Sequence, residues 1–177
     1  MTKQQFIELI AAEQESLRRF LRGLCAGDGF LADDIAQEAL LKAYLSFERF
    51  QGRSRFSTWL FRIAYNCWYD HLKKAGGKDD WISVDDSDWN VRKEVADVED
   101  DSHSADTKYE QQQLYLAIGS LSRPEQAVVL LFYMEDKSVK EIEVITGMPS
   151  GTVRSHLSRA RVHLRQVLEG LGEGFPT

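Results

Sequence analysis

The segment Phe50 to Lys74, FQGRSRFSTWLFRIAYNCWYDHLKK, spaces its apolar residues for a helix with two buried stripes instead of one. At 100° per residue, Leu60, Ile63, Ala64 and Cys67 fall on one line and Phe61, Tyr65, Trp68 and Leu72 on a second. A helix apolar around so much of its girth has to sit between neighbours in a small helical bundle. Ser57 or Ser54 is the expected N-cap. From Ser57 to Lys74 such a helix runs roughly 27 Å. The remaining arc carries Trp59, Arg62, Asn66, Tyr69 and Lys73. Aromatic rings interleaved with cations and an amide suit unstacked bases and their phosphates. The alternative is that Trp59 and Tyr69 only finish the core while Arg62 and Lys73 face water.

A length of 177 residues fits one domain or two small ones, and 43% hydrophobic residues make the chain globular. No apolar run approaches the ~20 residues of a membrane span, and the charged, amphipathic N-terminus does not resemble a signal peptide. The expected location is the cytoplasm, with no stable membrane insertion. Cys25 and Cys67 stand apart, without a CxxC or a Cys/His cluster, so neither a structural disulfide nor a zinc site is expected. The net charge of −6 argues against nucleic acid only as an average. Between Ala75 and Lys108 eleven acids face four bases, so that segment holds −7 and the rest of the chain +1. The flanking parts are near neutral and free to carry local basic faces.

Phe6 to Leu24 has helical spacing through Phe6, Ile10, Leu17, Phe20, Leu21 and Leu24, and Gly27-Asp28-Gly29 breaks it. A second helix is expected from Asp33 or Asp34, with Ala36, Leu40, Ala43 and Phe47 inward. Its other face mixes Asp34, Gln37 and Glu38 with Leu41 and Leu45. Leucines among acids point to a protein partner, or else to a neighbouring helix that covers them. Ala75-Gly76-Gly77 stops the helical unit. Lys78 to Ala105 has no sustained period and reads as an acidic linker, long enough to let two units sit far apart on something larger.

Helical spacing resumes from Tyr109 to Leu121 and again from Glu125 to Tyr133. Ser138 and Glu141 form a capping-box pair before a short helix that ends at Gly147. Ser150 is the expected cap of a last helix reaching about Leu168. Helix, glycine-bearing turn and second helix make a helix-turn-helix pattern. The last helix turns Val153, Leu157, Ala160, Leu164 and Val167 inward and Arg154, Ser155, Ser158 and Arg159 outward. No acid lies between Ser150 and Leu168. Arginine at such a position reaches guanine O6 and N7 as a fork, and serine reaches bases or phosphates. The plainer reading is a basic, solvated helix.

These regions together resemble one family, the extracytoplasmic-function (group 4) sigma factors of bacterial RNA polymerase. The resemblance rests on Asp33-Asp34-Ile35-Ala36-Gln37-Glu38-Ala39, on Phe56 to Asn66 with Asp70 and Lys73 following, on Ser138 to Ile142, and on Pro149 to Arg161. It implies an all-α fold of two small helical domains joined by an acidic flexible linker: region 2 over 1–75, the linker over 76–108 and region 4 over 109–177. It implies a promoter-specificity subunit that is not an enzyme and needs no cofactor. By the same resemblance Asp34, Gln37, Glu38 and Leu41 would meet the β′ clamp helices of core RNA polymerase. Arg53, Arg55, Phe56, Trp59, Arg62, Asn66, Tyr69 and Lys73 would melt and read the −10 promoter element. Arg154, Ser155, Ser158 and Arg159 would read the −35 element, with the β flap nearby. An anti-sigma factor is the implied regulatory partner. The chain departs from the family's habit in three places. Leu121-Ser122 precedes Pro124 where Leu-Pro is usual, Gln126 stands where an arginine is usual, and Glu143 stands where a small alanine is common. A stand-alone helix-turn-helix regulator acting as a dimer is the rival reading. Catalysis has no motif behind it: the four histidines lack metal spacing, and no GxSxG or Walker A pattern occurs.

Overall fold

Helix α1 spans Lys3–Leu24 and starts before Phe6 because Thr2 and Gln5 cap it reciprocally. The Thr2 hydroxyl accepts the Gln5 N–H at 3.2 Å and the Gln5 side chain accepts the Thr2 N–H at 2.9 Å. The chain then reverses through Ala26 (φ 54°) and Gly27 (φ 87°). Helix α2, Gly29–Ser46, begins four residues earlier than the expected Asp33, because the carboxylate of Asp28 accepts the Leu31 N–H at 3.1 Å. A 3-10 turn, Phe47–Arg49, leads toward the loop before α3, Phe56–Lys74. Neither Ser54 nor Ser57 caps α3: Arg55 holds that position, its carbonyl accepting from the Trp59 N–H at 3.1 Å, and Ser57 lies inside the first turn.

The computed structural model describes residues 1–74 and 105–171. Most of the acidic segment read as a linker therefore lies outside the described residues. Its end, from Ala105, is helical and belongs to α4, Ala105–Gly119. Then come α5, Arg123–Val129, a π-helical turn over Leu130–Met134, α6, Val139–Thr146, and α7, Ser150–Leu171. Among the described residues there is no strand.

The three departures from the family pattern each acquire a partner. Ser122 caps α5, accepting the Glu125 N–H, with Pro124 in the first turn where no N–H is needed. Gln126 is 1% exposed and donates through Nε2 to the Leu121 carbonyl at 3.2 Å, so the buried amide is not left unsatisfied. Glu143 accepts from the Ser150 hydroxyl at 2.6 Å, tying the two helices of the helix-turn-helix together. Ser150 is thus the first residue of α7, not its cap; the Pro149 carbonyl accepts the Val153 N–H.

The first three helices and the last four do not stand apart. Phe20, Leu60 and Phe61 of the first set and Leu130, Leu131 and Ile142 of the second belong to one continuous buried core. Helix α6 packs on α3, while α4, α5 and the π turn pack on the end of α1. A Cβ on Gly23 would lie 2.6 Å from the Leu130 Cδ2, so any larger residue there would force that leucine to move. Around it, Arg19 binds Glu135 through two bonds of 2.9 and 3.1 Å, and Lys137 donates to Ser57 at 3.0 Å.

Candidate nucleic-acid and polymerase interfaces

Helix α7 begins directly after a left-handed turn at Gly147 (φ 76°), where α6 ends. Ile142, Ile145, Val153 and Leu157 are buried together, and this packing sets how α7 projects from α6. With Val153, Leu157 and Ala160 inward, Arg154, Ser155, Ser158 and Arg159 are left exposed. They occupy one face of the first turns of α7, at spacings of one and four. His156 sits between them, half-buried. Burial and the neighbouring Arg159 push its imidazole below the usual range, favouring the neutral ring. Farther along, Arg161 donates to the Tyr133 hydroxyl at 2.5 Å, and His163 meets the buried carboxylate of Glu125 at 2.9 Å. Those contacts draw Arg161 and His163 into holding α7 against α5 and the π turn.

The row on α3 divides by exposure. Arg62, Asn66 and Lys73 are exposed, whereas Trp59 and Tyr69 are half-buried. Trp59 packs against Phe50 at 5.3 Å and Phe56 at 5.5 Å between ring centroids. The Lys73 ammonium lies 4.7 Å from the Tyr69 ring centre. The two aromatics therefore serve the core with one side and border the cationic row with the other. Phe56 is different: it is 9% exposed and stacked among Phe6, Phe50 and Trp59. A ring enclosed on that many sides has no face left for a base, so Phe56 anchors the preceding loop. Arg53 and Arg55 project from that loop into solvent.

On α2, Asp34, Gln37 and Leu41 are exposed, and among the described residues no neighbouring helix covers the leucines. Leu41 is 59% and Leu45 73% exposed, with Tyr44 beside them, an apolar ridge of the kind that proteins keep for partners. Glu38 is half-buried in this face. The Lys42 ammonium, at 3.1 Å, holds its carboxyl below the ordinary range against the opposing effect of burial, and His71 helps from 3.0 Å. Glu38 thus links α2 to α3 as well as facing outward.

Thr58 and Gly23 were not singled out by sequence reasoning. Thr58 is 1% exposed and donates to the Glu141 carboxylate at 3.0 Å, across the seam between the two helical sets. A glycine near the end of an otherwise strong helix, as at Gly23, is the signal that marks a close approach. Nothing in the spacing around Thr58 distinguishes it from an ordinary helix residue.

Comparison with known proteins matches both sets of helices in order. The family described as Sigma-70 region 2 matches residues 9–77, and the one described as Sigma-70, region 4 matches residues 111–164. The ECF RNA polymerase sigma factor SigW of Bacillus subtilis is 34% identical over 148 residues, covering 79% of this chain and 76% of that protein. The ECF RNA polymerase sigma-E factor of Haemophilus influenzae is 30% identical over 141 residues, covering 78% and 75%. Among solved structures, the sigma factor RpoE of Bartonella quintana, in complex with the anti-sigma factor NepR, superposes with a TM-score of 0.76 at 25% identity, over 94% of this chain and 98% of that one. CnrH, in complex with the cytosolic domain of CnrY, shares the fold at a TM-score of 0.69 and 19% identity, over 96% and 90%.

Proposed function

Because this chain belongs to the extracytoplasmic-function sigma factors of RNA polymerase, we propose that its helices α1–α3 and α4–α7 divide promoter recognition between them. Helix α7 reads duplex DNA at the −35 element through Arg154, Ser155, Ser158 and Arg159. The loop with Arg53 and Arg55, with Trp59, Arg62, Asn66, Tyr69 and Lys73 behind it, opens the −10 element and holds an extruded base. Extrusion costs a few kcal/mol and requires stacking in return, which the accessible edges of Trp59 and Tyr69 offer. The ridge of Leu41 and Leu45, with Asp34, Gln37 and Glu38, docks on the β′ clamp helices of core polymerase, and the second set of helices touches the β flap. The role is recognition, not catalysis, and is carried out in the cytoplasm. An anti-sigma factor, as seen with the Bartonella protein, is the regulatory partner that fits.

The observation that carries this reading is the pairing, on one chain, of an acid-free arginine–serine face on a helix-turn-helix with an aromatic–cation row on a separate helix. A dimeric duplex-binding regulator has use for the first and none for the second. Runoff transcription with purified core polymerase and a promoter library tests it. The chain should redirect start sites to promoters sharing two spaced elements. A chain that binds a palindrome without polymerase, and never alters initiation, supports the rival instead.

A further inference from the structure

Between the loop before α3 and the start of α6 lies a cleft of about 350 Å³. Arg53 and Arg55 stand on one wall and Lys140 on the other, all three exposed. Among the described residues, none of these three side chains has an ion-pair or hydrogen-bond partner. Glu141 is the one carboxylate among the described residues of the lining, and both of its oxygens are engaged. One accepts the Ser138 N–H at 3.2 Å and the other the Thr58 hydroxyl at 3.0 Å. Three cations against one carboxylate leave the lining at +2. Like charges gathered without a counter-charge repel one another, and the field between them draws an anion in.

The polar groups around these cations suit the same ligand. Ser138 accepts the Glu141 N–H through Oγ at 3.1 Å, which leaves its hydroxyl hydrogen to turn toward a bound molecule. Ser54 donates its hydroxyl to the Arg55 carbonyl at 3.3 Å instead of capping the first turn of α3, so the positive end of that helix adds to the field. The volume sits at the lower end of small-molecule sites, ~300–1,000 Å³, and holds a small molecule, not a length of strand. A guanidinium offers its N–H groups as a fork that matches phosphate oxygens, and an ammonium serves as a point charge. Cations on both walls suit charge spread over two linked phosphates better than charge held on one. Val144 is the one apolar side chain of the lining, so the part recognised is the diphosphate and not a ring attached to it.

We propose that this cleft binds a diphosphate group, bridged by Arg53 and Arg55 of the loop and Lys140 of α6. Inorganic pyrophosphate and a nucleoside diphosphate both carry that chemistry. Binding goes beyond the promoter-reading function and does not depend on it. Where that function holds, a bound diphosphate occupies the two arginines that the −10 strand also needs.

Calorimetric titration of the full chain in metal-free buffer tests this at about 0.15 M salt. Pyrophosphate should bind at one site with a Kd of about 0.1 mM, roughly tenfold tighter than orthophosphate. Lys140→Ala and Arg53→Ala should each weaken it about tenfold. Both side chains are exposed, so the circular dichroism spectrum should not change. Arg165→Ala removes an exposed arginine of α7 outside the cleft and should leave the Kd as it was. ADP and AMP separate the two sources of the ligand. ADP as tight as pyrophosphate, with AMP no tighter than orthophosphate, extends the site to nucleotides. ADP at the orthophosphate level confines it to the inorganic anion, and either result supports the cleft. No saturation by about 5 mM pyrophosphate overturns the proposal, as does orthophosphate binding equally well. Equal losses in Lys140→Ala and Arg165→Ala would reduce the effect to general charge, and a normal Kd in Lys140→Ala would remove α6 from the site; each refutes it.

Discussion

His156 lies among the residues of the proposed reading face of α7 yet is half-buried, and burial lowers its affinity for protons. The unfolded chain, at the ordinary histidine value, takes up the proton first as pH falls. Its contribution to stability is therefore complete at neutral pH and is lost as pH drops below about 6.5 toward the depressed native value. Thermal melts between pH 7 and 5 should show that decline, and His156→Gln should flatten it. Arg154 and Arg159 are a matter of binding, because both are exposed and support no core residue. Arg154→Ala and Arg159→Ala should each cost about 1–3 kcal/mol at one position of the upstream element, measured by selection from a randomised promoter. Unchanged selection by both variants would remove them from the reading face.

Capping and exposed ridges govern the behaviour of the elements. Ser138 and Glu141 cap α6 reciprocally, at 3.1 and 3.2 Å. Glu141 is partly desolvated, yet its bonds from Ser138 and Thr58 outweigh that and hold its carboxyl below the ordinary range. Ser138→Ala should cost about 1 kcal/mol in urea unfolding. On α2, Leu41→Asp should abolish binding to core polymerase and leave the circular dichroism spectrum intact, because Leu41 is 59% exposed and fills no cavity. Binding at normal strength would exclude this ridge as the polymerase surface. The element boundaries show what spacing can and cannot read. The apolar periods located every helix from α1 to α7, but Asp28 and Arg55 took cap positions that Asp33 and Ser57 seemed to offer. Caps depend on where the chain reverses, which for α2 follows from positive φ at Ala26 and Gly27.

For the whole molecule the seam decides how the chain unfolds. One core runs through both sets of helices, so urea should produce a single transition by fluorescence and by circular dichroism. Arg19→Ala would leave the Glu135 carboxylate buried without its cation. It should lower stability by about 2 kcal/mol, less than for a fully buried pair because Arg19 is 41% exposed. Two transitions, unaffected by Arg19→Ala, would mean that the two sets of helices behave as independent bodies in solution.

The sequence by itself determined the helices, the two outward faces on α3 and α7, and the leucine ridge on α2. Each of these depends on spacing along a single helix, which 100° per residue converts into a face. Only the tertiary structure decided that Phe56 belongs to the core, that Glu143 and Gln126 are satisfied, and that Gly23, Thr58 and Glu135 close a seam. Those contacts join residues as far as 116 positions apart, as Arg19 and Glu135 are, and no periodicity within a helix carries information over such a distance.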